Sequence, residues 1–156
     1  MIDVKIPAGA LVMIGDGKRA RFLRNKGTPR HVELLLERSL EIHNPPTREQ
    51  GSDRPGRYMG SDGSNRSAVE QTDWHQLAEN QFAVEIATTL HRMSHAREFE
   101  DLVVIAPPRM MGSLRAAYHP EVAARVIAEV TKELTSRSVP ELETLLCADA
   151  VAAMHR

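Results

Sequence analysis

A long polar segment carries several of the residues that could recognise a partner. It runs from Asn44 to Ser67 (NPPTREQGSDRPGRYMGSDGSNRS) and is dominated by Gly, Pro, Ser and Asn. We call it the polar insert. A segment of this composition cannot offset its ordering entropy by packing, and a loop this long in a small domain is usually functional or disordered. We predict a flexible recognition loop, and a mobile surface loop without a partner is the alternative.

A modest set of basic residues points to phosphate binding. Its members are Lys18, Arg19, Arg21 and Arg24 in a predicted hairpin, Arg109 and Arg115 after a double proline, and Arg54, Arg57 and Arg66 in the polar insert. If the fold brings them together, they could contact the phosphates of RNA although the net charge is −1. Scattered surface arginines are the alternative interpretation.

The sequence offers little support for metal or cofactor chemistry. His91 and His95 form the only histidine pair with metal-ligand spacing, and the neighbouring Arg92 and Arg97 oppose a divalent ion. Residues 15–19 (GDGKR) match only the first half of a phosphate-binding loop and are more typical of a hairpin turn, in which Asp16 and Gly17 supply positive φ angles. We therefore expect no metal and no cofactor.

Catalytic motifs are equally lacking. The sequence contains no GxSxG elbow and no HExxH, and its carboxylates share no spacing that specifies a common face. No catalytic residue is nominated, which favours a protein that is not an enzyme.

Composition indicates a globular protein of one domain. The chain has 156 residues, of which 42% are hydrophobic and 26% charged. Its single cysteine, Cys147, excludes an intramolecular disulfide and favours a reducing compartment. The N-terminal run lacks the pattern of a signal peptide, and no apolar run is long enough to cross a bilayer. We predict a cytoplasmic protein without a membrane partner, and the near-neutral charge gives no reason to expect DNA binding.

Apolar periodicity predicts alternating strands and helices. The predicted strands are Ala10 to Ile14, Arg19 to Leu23, His31 to Ser39, Leu102 to Ala106 and Val130 to Thr135. The predicted helices are a long one from Thr72 or Asp73 to about His95, and shorter ones over Met110 to Tyr118, Glu121 to Val130 and from Pro140 to Met154. The order predicts a single α/β domain over residues 1–156, with a mixed sheet of about five strands and packed helices.

Two details of this pattern make sharper predictions. In the long helix, an apolar stripe with fourfold spacing should face the core; its members are Trp74, Ala78, Phe82, Ile86 and Leu90, with Leu77 and Met93 beside them. In the third strand, Val32, Leu34 and Leu36 should share one buried face.

Several runs resemble a known bacterial family. They are NPPTREQGSDRPGR from Asn44, TDWH from Thr72, QFAVEIATTL from Gln81, LVVIAPPRMMGSLR from Leu102 and TKELT from Thr131. These runs are similar to the family of proteins required for attachment to host cells. More distantly, the chain resembles the middle domain of archaeal and eukaryotic peptide-chain release factors, which implies a similar fold.

The release-factor resemblance gives the polar insert a specific counterpart. In release factors a Gly-rich loop directly before a long helix reaches the peptidyl-transferase centre of the ribosome. By position, residues 50–66 correspond to that loop, although the Gly-Gly-Gln signature is missing and Gln50-Gly51 is its nearest approach. Together with the basic set, the resemblance implies these candidate binding residues: Gln50, Gly51, Asp53, Arg54, Gly56, Arg57, Arg66, Arg109 and Arg115.

These observations leave competing hypotheses. The first is a non-enzymatic interaction protein of the host attachment family, which captures an unknown protein partner through the polar insert and affects attachment indirectly. The second is a release-factor-like translation or rescue protein that binds the ribosome or RNA through residues 50–66, with peptidyl-tRNA hydrolysis as its only expected activity. A third is an anion site at the helix start between Pro107 and Arg115.

Overall fold

The computed structural model describes residues 4–42 and 64–147, and along residues 64–75 it describes only the backbone helix. The strands are β1 Leu11–Gly15, β2 Arg19–Asn25, β3 Leu34–Glu41, β4 Leu102–Ala106 and β5 Val126–Thr131. The helices are α1 Ser64–His95, α2 Pro108–Ala117, α3 Pro120–Ala123 and α4 Val139–Leu145. Within the described ranges, no helix is both long and apolar enough to cross a membrane.

The strands form one mixed sheet in the order β3-β2-β1-β4-β5. β1 pairs antiparallel with β2 and parallel with β4, while β2 pairs antiparallel with β3 and β4 pairs parallel with β5. Every residue of β1 and β4 is buried, as expected for central strands covered on both faces. The predicted α/β fold with a mixed sheet of five strands is confirmed.

Side chains alternate between two apolar cores, one on each face of the sheet. Leu11 and Val104 belong to the core that is covered by α1 and α2. Val12 and Val103 belong to the opposite core, which is closed by residues of α4 such as Leu142. Burying a side chain of this size stabilises the fold by roughly 1.5–3 kcal/mol, so the two cores together fix the position of the sheet.

The long helix begins earlier than the sequence pattern predicts. It starts at Ser64, so the last four residues of the predicted loop belong to α1, and the predicted start at Thr72 or Asp73 is wrong. The physical reason is that no Pro or Gly interrupts residues 64–75, so nothing opposes continuation of the hydrogen-bonded turns. Of the predicted apolar stripe, the residues from Phe82 onward are buried, whereas Leu77 is 48% exposed.

The last strand is also displaced from its prediction. The valines at fourfold spacing predict a helix over residues 121–130, but α3 ends at Ala123 and β5 covers Val126–Thr131. Residues of β5 pair with β4 through contacts such as Val103 with Ala128. The neighbouring strand supplies backbone partners to a β-branched segment, and this tertiary pairing overrides the helical spacing.

One predicted face of β3 is incorrect. Val32 and Leu34 are buried, but Leu36 is 46% exposed. The register between β2 and β3 shifts between Phe22 and Leu23, so that Leu23 pairs with Leu36 and Phe22 with Arg38. This irregularity on an edge strand breaks the simple alternation of faces.

A buried asparagine ties the end of β2 to the segments beside it. Asn25 is fully buried, and its amide nitrogen donates to the carbonyl of Ile6 at 2.8 Å and to that of Thr28 at 3.3 Å. Its side-chain oxygen accepts from the backbone N–H groups of Gly27 at 2.9 Å and Glu33 at 3.1 Å. The amide nitrogen also lies 3.4 Å from the carbonyl of Pro7, so one side chain contacts five buried or partly buried backbone groups.

We predict that Asn25→Ala lowers the free energy of unfolding by about 2–4 kcal/mol, because several backbone groups lose their partner without gaining water. Urea denaturation of both proteins measures the difference. The matched control is Asn80→Ala, which loses one exposed hydrogen bond from the hydroxyl of Ser113 and should change the free energy by less than about 1 kcal/mol. Equal effects of the two substitutions would contradict this role of Asn25.

Candidate functional site

Four of the five strands end at the same edge of the sheet. β1, β4 and β5 are mutually parallel, and β3 runs in the same direction because β2 is antiparallel to both β1 and β3. We call this surface the carboxyl edge; it consists of residues 16–19, 42, 107–109 and 132–137. Ligands of open α/β sheets bind outside the carboxyl ends of the strands, so this edge is the first place to look for a site.

The turn between β1 and β2 is built by a side chain rather than by unusual backbone angles. Asp16 Oδ1 accepts the backbone N–H groups of Lys18 and Arg19, each at 2.8 Å. Neither Asp16 nor Gly17 has a positive φ, so the predicted reason for this pair is wrong. A Cβ at Gly17 would lie 2.9 Å from the side chain of Glu79 on α1, whose flexible end could move aside. The turn and the long helix therefore lie close together at this point.

Asp16 also anchors the loop that follows β5. The hydroxyl of Thr135 lies 2.7 Å from Asp16 Oδ2 and in contact with Glu133 Oε1, and its single proton can be donated to one carboxylate at a time. Burial raises the pKa of Asp16, but donation from Lys18 N–H, the Thr135 hydroxyl and Arg19 N–H outweighs it and holds that pKa below its ordinary value. The ionised form of Asp16 is thus the one that the fold stabilises.

Arg21 holds the same loop from the other side. Its Nη2 donates to the carbonyl of Thr135 at 2.9 Å and to that of Arg137 at 2.7 Å. Burial lowers the pKa of Arg21, and the nearby charge of Arg19 lowers it further. Arg21 therefore positions the carboxyl edge and is not available for a phosphate.

Two more members of the basic set are paired within the domain. Arg24 donates to the carboxylate of Glu37, with Nη2 at 3.0 Å from Oε1. Arg115, a predicted binding residue, lies with Nη2 2.6 Å from Glu129 Oε1, and this hydrogen-bonded carboxylate raises the pKa of Arg115. The structure thus separates Arg115 from the residues that could act together at the carboxyl edge.

Three members of the basic set lie along the carboxyl edge together with one further lysine. They are Lys18, Arg19, Arg109 and Lys132, all of which are exposed. Within the part of the chain that the structure describes, none of them forms an ion pair. The surface left free for an anion is therefore basic, although the chain as a whole is nearly neutral.

The polar insert starts from this edge. The N–H of Ile42, the last described residue before it, donates to the carbonyl of Lys18 at 2.8 Å. The predicted binding residues Gln50, Gly51, Asp53, Arg54, Gly56 and Arg57 lie outside the described residues, and Arg66 lies in the backbone-only part of α1.

A separate group of metal-ligating side chains lies at the far end of α1. His91, His119 and Glu121 place one possible ligand atom each within 4.8 Å of one another. The sequence drew attention to His91 and His95 only, because His119 and Glu121 belong to a distant segment. The nearest local signal is the run His119-Pro120-Glu121, in which His119 accepts the N–H of Glu121 at the start of α3.

Comparison with protein families decides the relationship of the chain. Residues 9–146 match the family described as bacterial archaeo-eukaryotic release factor family 12. The chain belongs to this release factor family. The expected resemblance to release factors is confirmed at this level, whereas membership of the host attachment family, and with it the hypothesis of an interaction protein required for attachment, is wrong.

Two solved structures also match this member of the release factor family. One is the archaeal translation termination factor aRF1, with 13% identity and a TM-score of 0.45, and the other is described as an archaeal protein, with 12% identity and a TM-score of 0.45. Each match covers 94% of this chain and 39% or 38% of the other, so the chain spans about two fifths of the length of these structures. No curated protein matches the sequence.

The lowered pKa of Asp16 predicts a pH-dependent effect of Asp16→Asn. The ionised carboxylate stabilises the fold fully above its unfolded pKa, about 3.9, and this contribution is lost as the pH falls through the lower folded pKa. At about pH 7 the variant should melt roughly 2–4 °C below the wild type, because charged acceptors form stronger hydrogen bonds than neutral ones. The difference in melting temperature should shrink as the pH falls below about 4.

Thermal denaturation across this pH range provides the test. The control is Asp101→Asn, because the backbone carbonyl of Asp101 accepts from Leu11 N–H while its side chain has no hydrogen-bond partner among the described residues. A melting temperature difference for Asp16→Asn that stays constant with pH would rule out the ionised carboxylate as the source of the stability.

Proposed function

We propose that this protein is a release-factor-like translation protein that binds the ribosome through its carboxyl edge and residues 50–66. Membership of the release factor family over residues 9–146 is the observation that carries the proposal. The ligand at the carboxyl edge would be ribosomal RNA, and the protein would act in the cytoplasm. Proteins that recognise RNA helices do so largely through phosphate and sugar contacts, which need basic groups at a local surface rather than a basic chain.

The carboxyl edge has the chemistry for such contacts. Lys18, Arg19, Arg109 and Lys132 are exposed there. α2 begins beside them with no acidic residue in its first turn and no side-chain cap, so its first N–H groups can also face an anion. Neutralising phosphates releases counterions, and binding should therefore weaken as salt rises.

The start of α1 supports a role for the polar insert in reaching the ribosome. Glu79 lies against Gly17 at the carboxyl edge, and α1 begins 15 residues earlier, at Ser64. At 1.5 Å per residue this helical segment is about 22 Å long. Residues 50–63, with Gln50, Gly51, Asp53 and Gly56 among them, would be presented before this helix, and Arg66 would lie at its start. Because no Gly-Gly-Gln is present, the proposal is for binding and assigns no catalytic residue.

The double variant Lys18→Glu/Arg109→Glu should bind purified ribosomes more weakly at every salt concentration. Losing two phosphate contacts should lower the slope of log affinity against log salt by about 1.5–2. Co-sedimentation with ribosomes, titrated from about 50 to about 200 mM salt, measures both quantities.

The matched control for this pair is Lys5→Glu/Lys26→Glu. It changes the net charge by the same amount, but both lysines are exposed outside the carboxyl edge, Lys26 at the opposite end of β2. The control should retain the wild-type slope. If the wild type stays in the supernatant at low salt, ribosome binding is refuted; if both pairs weaken binding equally, the carboxyl edge is not the interface.

A second prediction concerns the polar insert. Arg54→Ala/Arg57→Ala should weaken ribosome binding by about tenfold or more, because two charge-assisted contacts are lost. The melting temperature should stay nearly unchanged, since the composition of the insert is too polar for it to pack as part of a core. Co-sedimentation and thermal denaturation of the same preparation test both statements, and wild-type affinity would exclude the arginines of the insert from the interface.

A further inference from the structure

Three imidazoles and one carboxylate meet where the end of α1 contacts the start of α3. His91 Nε2 lies 3.4 Å from Glu121 Oε1, and His95 Nδ1 lies 3.9 Å from the same oxygen. The rings of His91 and His119 are stacked, with centroids 3.7 Å apart and an interplanar angle of 11°. We call these four residues the His–Glu cluster. They line a cavity of about 460 Å³ together with Arg92 and Ala96.

The fold places these side chains from two independent elements. His91 and His95 are four residues apart on α1 and therefore share one face of the helix. His119 is the N-cap of α3, and Glu121 lies in the first turn of the same helix. The hydroxyl of Ser94 donates to Glu121 Oε2 at 3.1 Å, which turns Oε1 toward the imidazoles. A hydrogen bond of this kind is what orients a carboxylate that binds a metal.

We propose that His91, His119 and Glu121 bind one divalent first-row transition ion, such as Zn²⁺, with His95 as a fourth ligand. Imidazole nitrogen and carboxylate oxygen are ligands that Zn²⁺ takes in tetrahedral sites, at about 2.0–2.2 Å. The possible ligand atoms of His91, His119 and Glu121 already lie within 4.8 Å of one another, and the stacked rings of His91 and His119 would rotate apart to direct a nitrogen each at one ion. Such a site is independent of ribosome binding at the carboxyl edge.

Two features of the cluster determine how the site works. The charge of Arg92 in the same cavity wall opposes a cation and lowers the affinity without removing a ligand. His119 Nδ1 accepts the N–H of Glu121 at 3.0 Å, so a neutral His119 carries its proton on Nε2. Metal binding by His119 therefore requires it to give up this cap at the start of α3. The bound ion would take the place of this cap on His119 and would also link α1 to α3.

The test uses the full chain without an affinity tag, treated with a chelator and then titrated with Co²⁺ or Zn²⁺. One equivalent of Co²⁺ should produce the visible absorption of a tetrahedral site, and calorimetry with Zn²⁺ should show a single site. Zn²⁺ at about 100 times its dissociation constant should raise the melting temperature by roughly 5–10 °C, reversed by chelator.

Substitutions locate the ion. His91→Asn and Glu121→Gln should each weaken Zn²⁺ binding by at least about tenfold, and Ser94→Ala should weaken it by a similar factor through the orientation of Glu121. His31→Asn removes an exposed imidazole outside the cluster and should leave affinity unchanged. Circular dichroism in chelator confirms that each variant is folded, and shifts of imidazole NMR signals on adding Zn²⁺ locate the ion in the wild type without any substitution.

The outcomes separate the proposal from its alternatives. Absence of stoichiometric binding to the wild type would overturn it and leave the cluster as a set of ion pairs between histidine and Glu121. Wild-type affinity in both His91→Asn and Glu121→Gln would overturn it as well, because the ion would then sit elsewhere. Neither result bears on ribosome binding, which is measured with protein that has been stripped of transition metal ions and freed of chelator before the ribosomes are added.

Discussion

The parallel pairing of β1 with β4 is the constraint on which the rest of the structure depends. Both strands are completely buried and consist of apolar residues and one glycine, so they are stable only when both faces of the sheet are covered. One face receives α1 and α2, and the other receives α4 and the segment near Ile6. The pairing also sets the direction of the chain, because β3 and β5 then end at the same edge as the central pair.

α1 connects the two candidate binding sites of the molecule, the carboxyl edge and the His–Glu cluster. Its middle meets the carboxyl edge where Glu79 lies against Gly17, and its last two turns supply two members of the His–Glu cluster. Between them, buried residues from Phe82 to Met93 hold the helix on the sheet. An ion at the cluster would fasten the end of this helix to α3, while the segment before Glu79 bears no such anchor among the described side chains. The packed half of α1 thus serves as a fixed base for the half that leads into the polar insert.

Sequence alone predicts the elements whose stability is local and misses those that depend on a neighbour. The strands around Val12 and Val104 were predictable because uninterrupted apolar runs bounded by turn residues have few alternatives. β5 was not predictable, since the spacing of its valines fits a helix and only pairing with the backbone of β4 decides otherwise.

The candidate site also combines features that the sequence predicts with features that depend on the fold. The basic residues are visible in the sequence, but their internal partners are not. The partner of Arg21 is 114 residues away along the chain, and that of Arg115 is 14 residues away. His119 and Glu121 reach His91 only through the fold.

Those internal partners also limit the contacts that the proposed function could make with RNA. Arg24 and Arg115 are each paired with a carboxylate, and Arg21 keeps its charge but donates to two backbone carbonyls, so all three side chains are engaged within the domain. The few exposed cations at the carboxyl edge allow only a small number of phosphate contacts, and nonspecific affinity for nucleic acid grows with that number. A protein with so few contacts gains little from electrostatic attraction alone. Under the proposed function, specificity would then come from the shape of the interface rather than from its charge.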